Sequence, residues 1–206
     1  MNALRKVWHW VKWPLIVLVA LFIIICIYFV YLGRDKYLTE QAVARIHAQK
    51  VSLSTVMGDA LPPKPYGPEA DSTLAGIDKN NNGIRDDVEL AIFAKYPHSA
   101  KIRAAELQYA MTEQMFITDV FNTKTWKAVA EENSRGYQCV SNSLPYSGDL
   151  KKDFIIIDAR AKEVEDWVLN TQQRKDAADN ADTYTTSFGS LDGVNNCDID
   201  LNSLSN

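Results

Sequence analysis

The apolar pattern changes character along this chain. From 14 to 32 the run Pro-Leu-Ile-Val-Leu-Val-Ala-Leu-Phe-Ile-Ile-Ile-Cys-Ile-Tyr-Phe-Val-Tyr-Leu carries no charge, and an uninterrupted apolar segment of that length crosses a bilayer as a helix. Past Arg34 the apolar positions thin to Leu38, Val43 and Ile46 among charged neighbours without Gly or Pro. The helix is therefore expected to continue outward as a stalk over 33–57. Gly58, Pro62, Pro63, Pro65, Gly67 and Pro68 then break any period, which predicts an extended linker over 58–73.

Beyond 74 the spacing turns helical. A helix over 86–96 carries Val88, Leu90, Ile92 and Phe93 and stops at Pro97. The next, 99–121, repeats Leu107, Met111 and Met115 at intervals of four, widened by Ile102, Ala105 and Tyr109, a stripe that reads as core. Thr123 is a candidate cap for a helix with Trp126, Val129 and Ala130, and Gly136 predicts an interruption before 137–143. Pro145 and Gly148 mark a turn. The longest helix is expected over 149–179, burying Ile155, Ile156, Ala159, Val164, Trp167 and Val168, with an irregular polar tail from 181.

Between linker and first domain helix lies Asp78-Lys79-Asn80-Asn81-Asn82-Gly83-Ile84-Arg85-Asp86-Asp87-Val88-Glu89. Side-chain oxygens at its first, third and fifth places (Asp78, Asn80, Asn82) can converge on one hard cation, because Gly83 at the sixth permits a sharp reversal. Ile84 would add its backbone carbonyl, Asp86 a direct or water-bridged oxygen, and Glu89 at the twelfth place both carboxylate oxygens. This stretch resembles the EF-hand calcium loop. Because Pro62, Pro63, Pro65, Gly67, Pro68 and Gly76 precede it where an EF-hand has its incoming helix, it is most similar to the lone loops of bacterial envelope proteins and dockerin-type repeats. The resemblance spans 78–89 and implies bound Ca2+. Neutral Asn80 and Asn82 between the acids imply modest affinity, roughly 0.1–1 mM as in extracellular modules. The alternative is an Asn/Gly turn ahead of a helix, needing no metal.

Charge is divided unevenly. Three of the 22 basic residues precede Gly33 and all 26 acids follow it, leaving 26 acids against 19 bases beyond the apolar run, a formal −7. That surface disfavours nucleic acid as a partner. Arg5, Lys6 and Lys12 before the span predict a cytoplasmic N-terminus (1–13, with His9), and Trp8, Trp10, Trp13, Tyr28 and Tyr31 suit the two headgroup belts. No small-residue cleavage site follows the run, so a retained signal-anchor is expected rather than a cleaved signal peptide. Cys26 lies inside it.

Cys139 and Cys197 are the cysteines outside the run, and in an oxidising compartment their pairing is the expectation. No C-x-x-C, zinc spacing or Gly-rich phosphate loop is present, and His47 and His98 stand without partners legible in sequence. The acids of the last helix mingle with Lys151, Lys152, Arg160 and Lys162, as on a solvated face.

These readings combine into an all-α, single-pass bacterial inner-membrane protein whose domain, 74–206, lies in the periplasm and is opened by a calcium loop. The expected role is non-enzymatic, a structural or protein-interaction component docking on an envelope protein partner. The alternative is a membrane-tethered periplasmic hydrolase with a structural calcium.

Overall fold

The computed structural model describes residues 2–189 and 196–205, without the side chains of 2–7, 9 and 11. Arg5, Lys6 and His9, and the tail residues 190–195, thus lie outside the described side chains or residues. The described residues are helical, with seven α-helices, two short 3-10 segments and no strand. The chain divides into two units, Met1–Gln41 and Ala42–Asn206.

Helix α1 runs over Asn2–Ala48 and passes through Pro14 without ending. Every residue from 13 to 38 is exposed, so large apolar side chains face outward on all sides. Each would cost about 1.5–3 kcal/mol to leave in water, and a helix apolar all round belongs in a bilayer or a core. One helix among the described residues is long and apolar enough to cross a membrane, and it is this one.

The second unit begins inside the segment expected as a stalk. Ala42 and Ile46 on the last turns of α1 are core residues, with Val43 packed against them. His47 is not a lone solvated side chain, because its Nδ1 lies 2.8 Å from Glu132 Oε1. Lys50 and Arg135 also reach Glu132, and both pair with Asp198. The next helix, α2 (Leu53–Met57), is capped by Ser52 and stopped by Gly58 in the left-handed region. The segment 58–73 is more than a spacer: it buries Pro62 and Ala70 and forms a 3-10 turn over Gly67–Asp71.

Helices α3 (Asp86–Lys95), α4 (Ala100–Thr118), α5 (Thr123–Asn142), α6 (Leu150–Val168) and α7 (Gln172–Asp182) follow. The centre is α4, which packs against α2, α3, α5, α6 and α7. Leu107, Met111 and Met115 are core as the spacing predicts. Arg103, Glu106, Gln108, Thr112 and Gln114 of α4 are buried too, and each finds a partner. Arg103 donates to the carbonyls of Val56, Tyr96 and Pro97, and Glu106 pairs with Arg160. A helix buried over most of its length needs such partners, since an unmet buried polar group costs about 1–3 kcal/mol.

Four further expectations differ from the fold. Asn122, not Thr123, caps α5, accepting from the N–H groups of Lys124 and Thr125. Gly136 does not interrupt α5 but lies where α4 crosses it: an added Cβ would sit 3.2 Å from Tyr109 Cα. The helix expected over 149–179 is two helices, because the Thr171 hydroxyl accepts from Arg174 N–H and starts α7. On α6 the buried face is Ile157, Arg160, Ala161, Val164 and Val168, while Ile155, Ile156 and Ala159 are exposed. Consecutive helical residues point about 100° apart, so a run of three isoleucines cannot reveal which one faces inward.

The tail is pinned at its end. Cys139 and Cys197 lie at disulfide bonding distance, 58 residues apart in sequence. Around them Gln108 donates to Asn196 O and accepts from Asp198 N, and Leu201 is buried.

Candidate metal centre

The loop 78–89 is wound on its own side chains. Its base is closed by Asp86 N–H donating to Ile77 O at 2.8 Å. The Asp78 carboxylate accepts from the N–H groups of Asn82 (3.2 Å) and Gly83 (2.8 Å). Asn82 Oδ1 accepts from Ile84 N–H, and Asp86 Oδ1 from Lys79 N–H, both at 2.9 Å. Gly83 holds φ +84°, and a Cβ there would fall 1.5 Å from Gln49 Nε2. The glycine therefore permits both the reversal and the approach of the residue just past α1.

Two features orient the donors. Ile84 is buried in the core, which fixes its side chain inward. Arg85, also buried, holds Asp87 and donates to the carbonyls of Trp167 and Val168 at the end of α6. Terminal carbonyls of a helix lack partners within it, so Arg85 joins the loop's exit to α6. No sequence signal marked Arg85.

Asp86 and Glu89 stand on the first turn of α3, at 0% and 1% exposure, where the helix dipole favours negative charge. Glu89 Oε2 accepts from Asn80 Nδ2 at 2.9 Å. Asp86 Oδ2 and Asn80 Oδ1 are buried without a partner. Burial raises the pKa of both Asp86 and Glu89, and the Asp78 charge adds to it. Orphaned oxygens beside unneutralised carboxyls suit a hard cation. Among the described residues no group of three or more His, Cys, Asp or Glu side chains is gathered closely enough to hold a metal. Six-fold oxygen coordination here would draw on the two amides and the Ile84 carbonyl as well as the carboxylates.

A second group of acids lies between α4, α5 and α6. Tyr109 OH donates to Glu165 Oε1 at 3.2 Å and also bonds Glu113. Glu113 Oε1 accepts from Asn133 Nδ2 at 2.7 Å. Burial pushes the Glu113 carboxyl up to about 7, and the facing charges of Glu165 and Asp182 push the same way. A carboxyl raised in the folded state favours the protonated form, so its stabilisation is complete below the ordinary value of 4.5 and is lost as pH rises through about 7. The expected outcome is up to about 3 kcal/mol less stability from this group at pH 8 than at pH 4.5. Urea unfolding across that range should show a shallower decline in Glu113→Gln; an unchanged slope would remove Glu113 as the source.

Set against protein-family models, curated proteins and solved structures, the chain matches none of them.

Proposed function

We propose that this is a single-pass bacterial inner-membrane protein with a cytoplasmic N-terminus. Its periplasmic helical module is stabilised by Ca2+ and serves as a non-enzymatic structural or docking component of an envelope complex. The observation that carries the calcium reading is the unpartnered, fully buried Oδ2 of Asp86 inside a loop whose oxygen-bearing positions follow the EF-hand spacing. Asp78, Asn80, Asn82, Asp86 and Glu89, with the Ile84 carbonyl, would hold the ion. Its chemistry there is charge neutralisation, with no reaction attached. The exposed apolar helix supports the membrane reading, and the Cys139–Cys197 pair supports an oxidising compartment.

Calcium titration during thermal unfolding of the full chain in detergent tests this. At a calcium concentration tenfold above its Kd, the gain is about 1.4 kcal/mol, or about 3–6 °C in Tm. Glu89→Ala should abolish the gain. If calcium moves neither protein, 78–89 is a capped turn and the metal reading fails.

A membrane-tethered hydrolase is the second reading, and the convergence of Glu113 and Glu165 on one phenol is the observation on its side. It requires hydrolysis of cell-wall or lipid material by the purified chain, lost in Glu113→Gln.

A further inference from the structure

An open groove of about 580 Å³ lies at the end of the domain where the turn before α6 meets the pinned tail. Ile157 and Leu201 are buried in its floor, while Tyr146, Leu150 and Phe154 stand 72%, 63% and 57% exposed at its walls. Leu150, Asp153, Phe154 and Ile157 follow the i, i+3, i+4, i+7 spacing of one helical face, so three of the four make this face of α6 apolar, and Leu150 and Phe154 on it stay exposed among the described residues. The opposite wall, from Cys197 to Asn202, is held by the bond to Cys139.

Two carboxylates also line the groove. Asp153 accepts from Ser147 N–H and Asp200 from Asn202 N–H, yet neither forms an ion pair among the described residues. Their neighbour Asp198 differs, being paired with both Lys50 and Arg135. An apolar floor with unpaired negative charge at its edge complements a cationic amphipathic segment, because large side chains supply buried area and opposite charge supplies selectivity. The volume lies within the roughly 300–1,000 Å³ of recognition pockets and admits a few large side chains.

We propose that this groove docks a segment of a partner protein that presents bulky apolar side chains beside a Lys or Arg. The inference rests on reading the domain as a docking module and names the face it uses. Lys151 and Lys152 of the chain itself do not line the groove, and a second copy is an outcome of the test.

The test uses the full chain in phosphatidylcholine nanodiscs and two labelled peptides that share Leu and Phe positions but carry either Lys or Glu between them. Fluorescence anisotropy should show the Lys peptide binding about tenfold or more tighter than the Glu peptide. Asp153→Asn with Asp200→Asn, which keeps both turn-forming acceptors, should erase that preference. Phe154→Ala, at an exposed position, should weaken the Lys peptide about tenfold. Equal binding of the two peptides, no binding of either, or indifference to Phe154→Ala overturns the proposal. So does self-association of the chain that Phe154→Ala abolishes, which would assign the groove to a second copy. Calcium-dependent melting of the same samples separates the cases: a calcium shift without peptide selectivity sinks the groove alone, and selectivity without a calcium shift sinks the calcium reading alone.

Discussion

Replacing Arg174 with Ala should lower the stability of the full chain by about 3–5 kcal/mol, the range for removing one partner of a buried charged network. The guanidinium is 0% exposed and unusually occupied. Its Nε donates to Leu74 O, its Nη2 to Ala70 O and Thr73 O, and its Nη1 to Asp71 Oδ1 and Asn170 Oδ1. The same contact holds the Asp71 carboxyl below its ordinary value. Truncation takes the side-chain donor from the carbonyls of Ala70, Thr73 and Leu74, of which Thr73 O keeps the Gly76 N–H, and frees the segment that enters the loop 78–89. Arg174→Lys should restore little, since an ammonium has three donors on one nitrogen and cannot span a planar fork. Urea unfolding checks this. A loss below about 1 kcal/mol would mean that 58–73 behaves as the extended linker its Pro and Gly content implies.

Breaking the Cys139–Cys197 bond is the second large effect. Closing a loop of 58 residues contributes about 4 kcal/mol in the chain-entropy model, and reductant should lower the urea midpoint accordingly. Cys139→Ala with Cys197→Ala should show the same loss and no further response to reductant. More than loop entropy is at stake, because the pinned tail carries Asp198, which accepts from Val51 N–H and pairs with Lys50 and Arg135. Ser205 O also accepts from Lys101 N–H. If reductant leaves the midpoint unchanged, these polar contacts alone hold the tail. The groove wall from Cys197 to Asn202 should loosen with the bond, so reduced protein should lose peptide selectivity before it unfolds.

Much of this architecture is legible in the order of the residues alone. The apolar run 14–32 declares its helix because hydration alone determines where such a segment can reside. The turn within 78–89 was legible for a similar reason: the side chains that accept from its backbone lie within twelve residues, and Gly83 takes the left-handed conformation that its place in the turn requires. The cysteine pair followed from counting, and the core stripe of α4 from its period.

What stayed hidden depends on contacts between residues far apart in the chain. Arg85 and Arg174 look like surface charges until the segments that receive them, the end of α6 and the stretch 70–74, are placed 82 to 104 positions away. Glu113 becomes a raised, protonatable group only when α5 and α6 enclose it. The break at Thr171, the phase of α6 and the seating of Ile46 in the core were settled the same way. Local periodicity and spacing act through adjacent bonds and through water, so residue order conveys them. Burial of a charge and the choice of which apolar face turns inward are properties of the packed whole, because their energies depend on partners that adjacency does not specify.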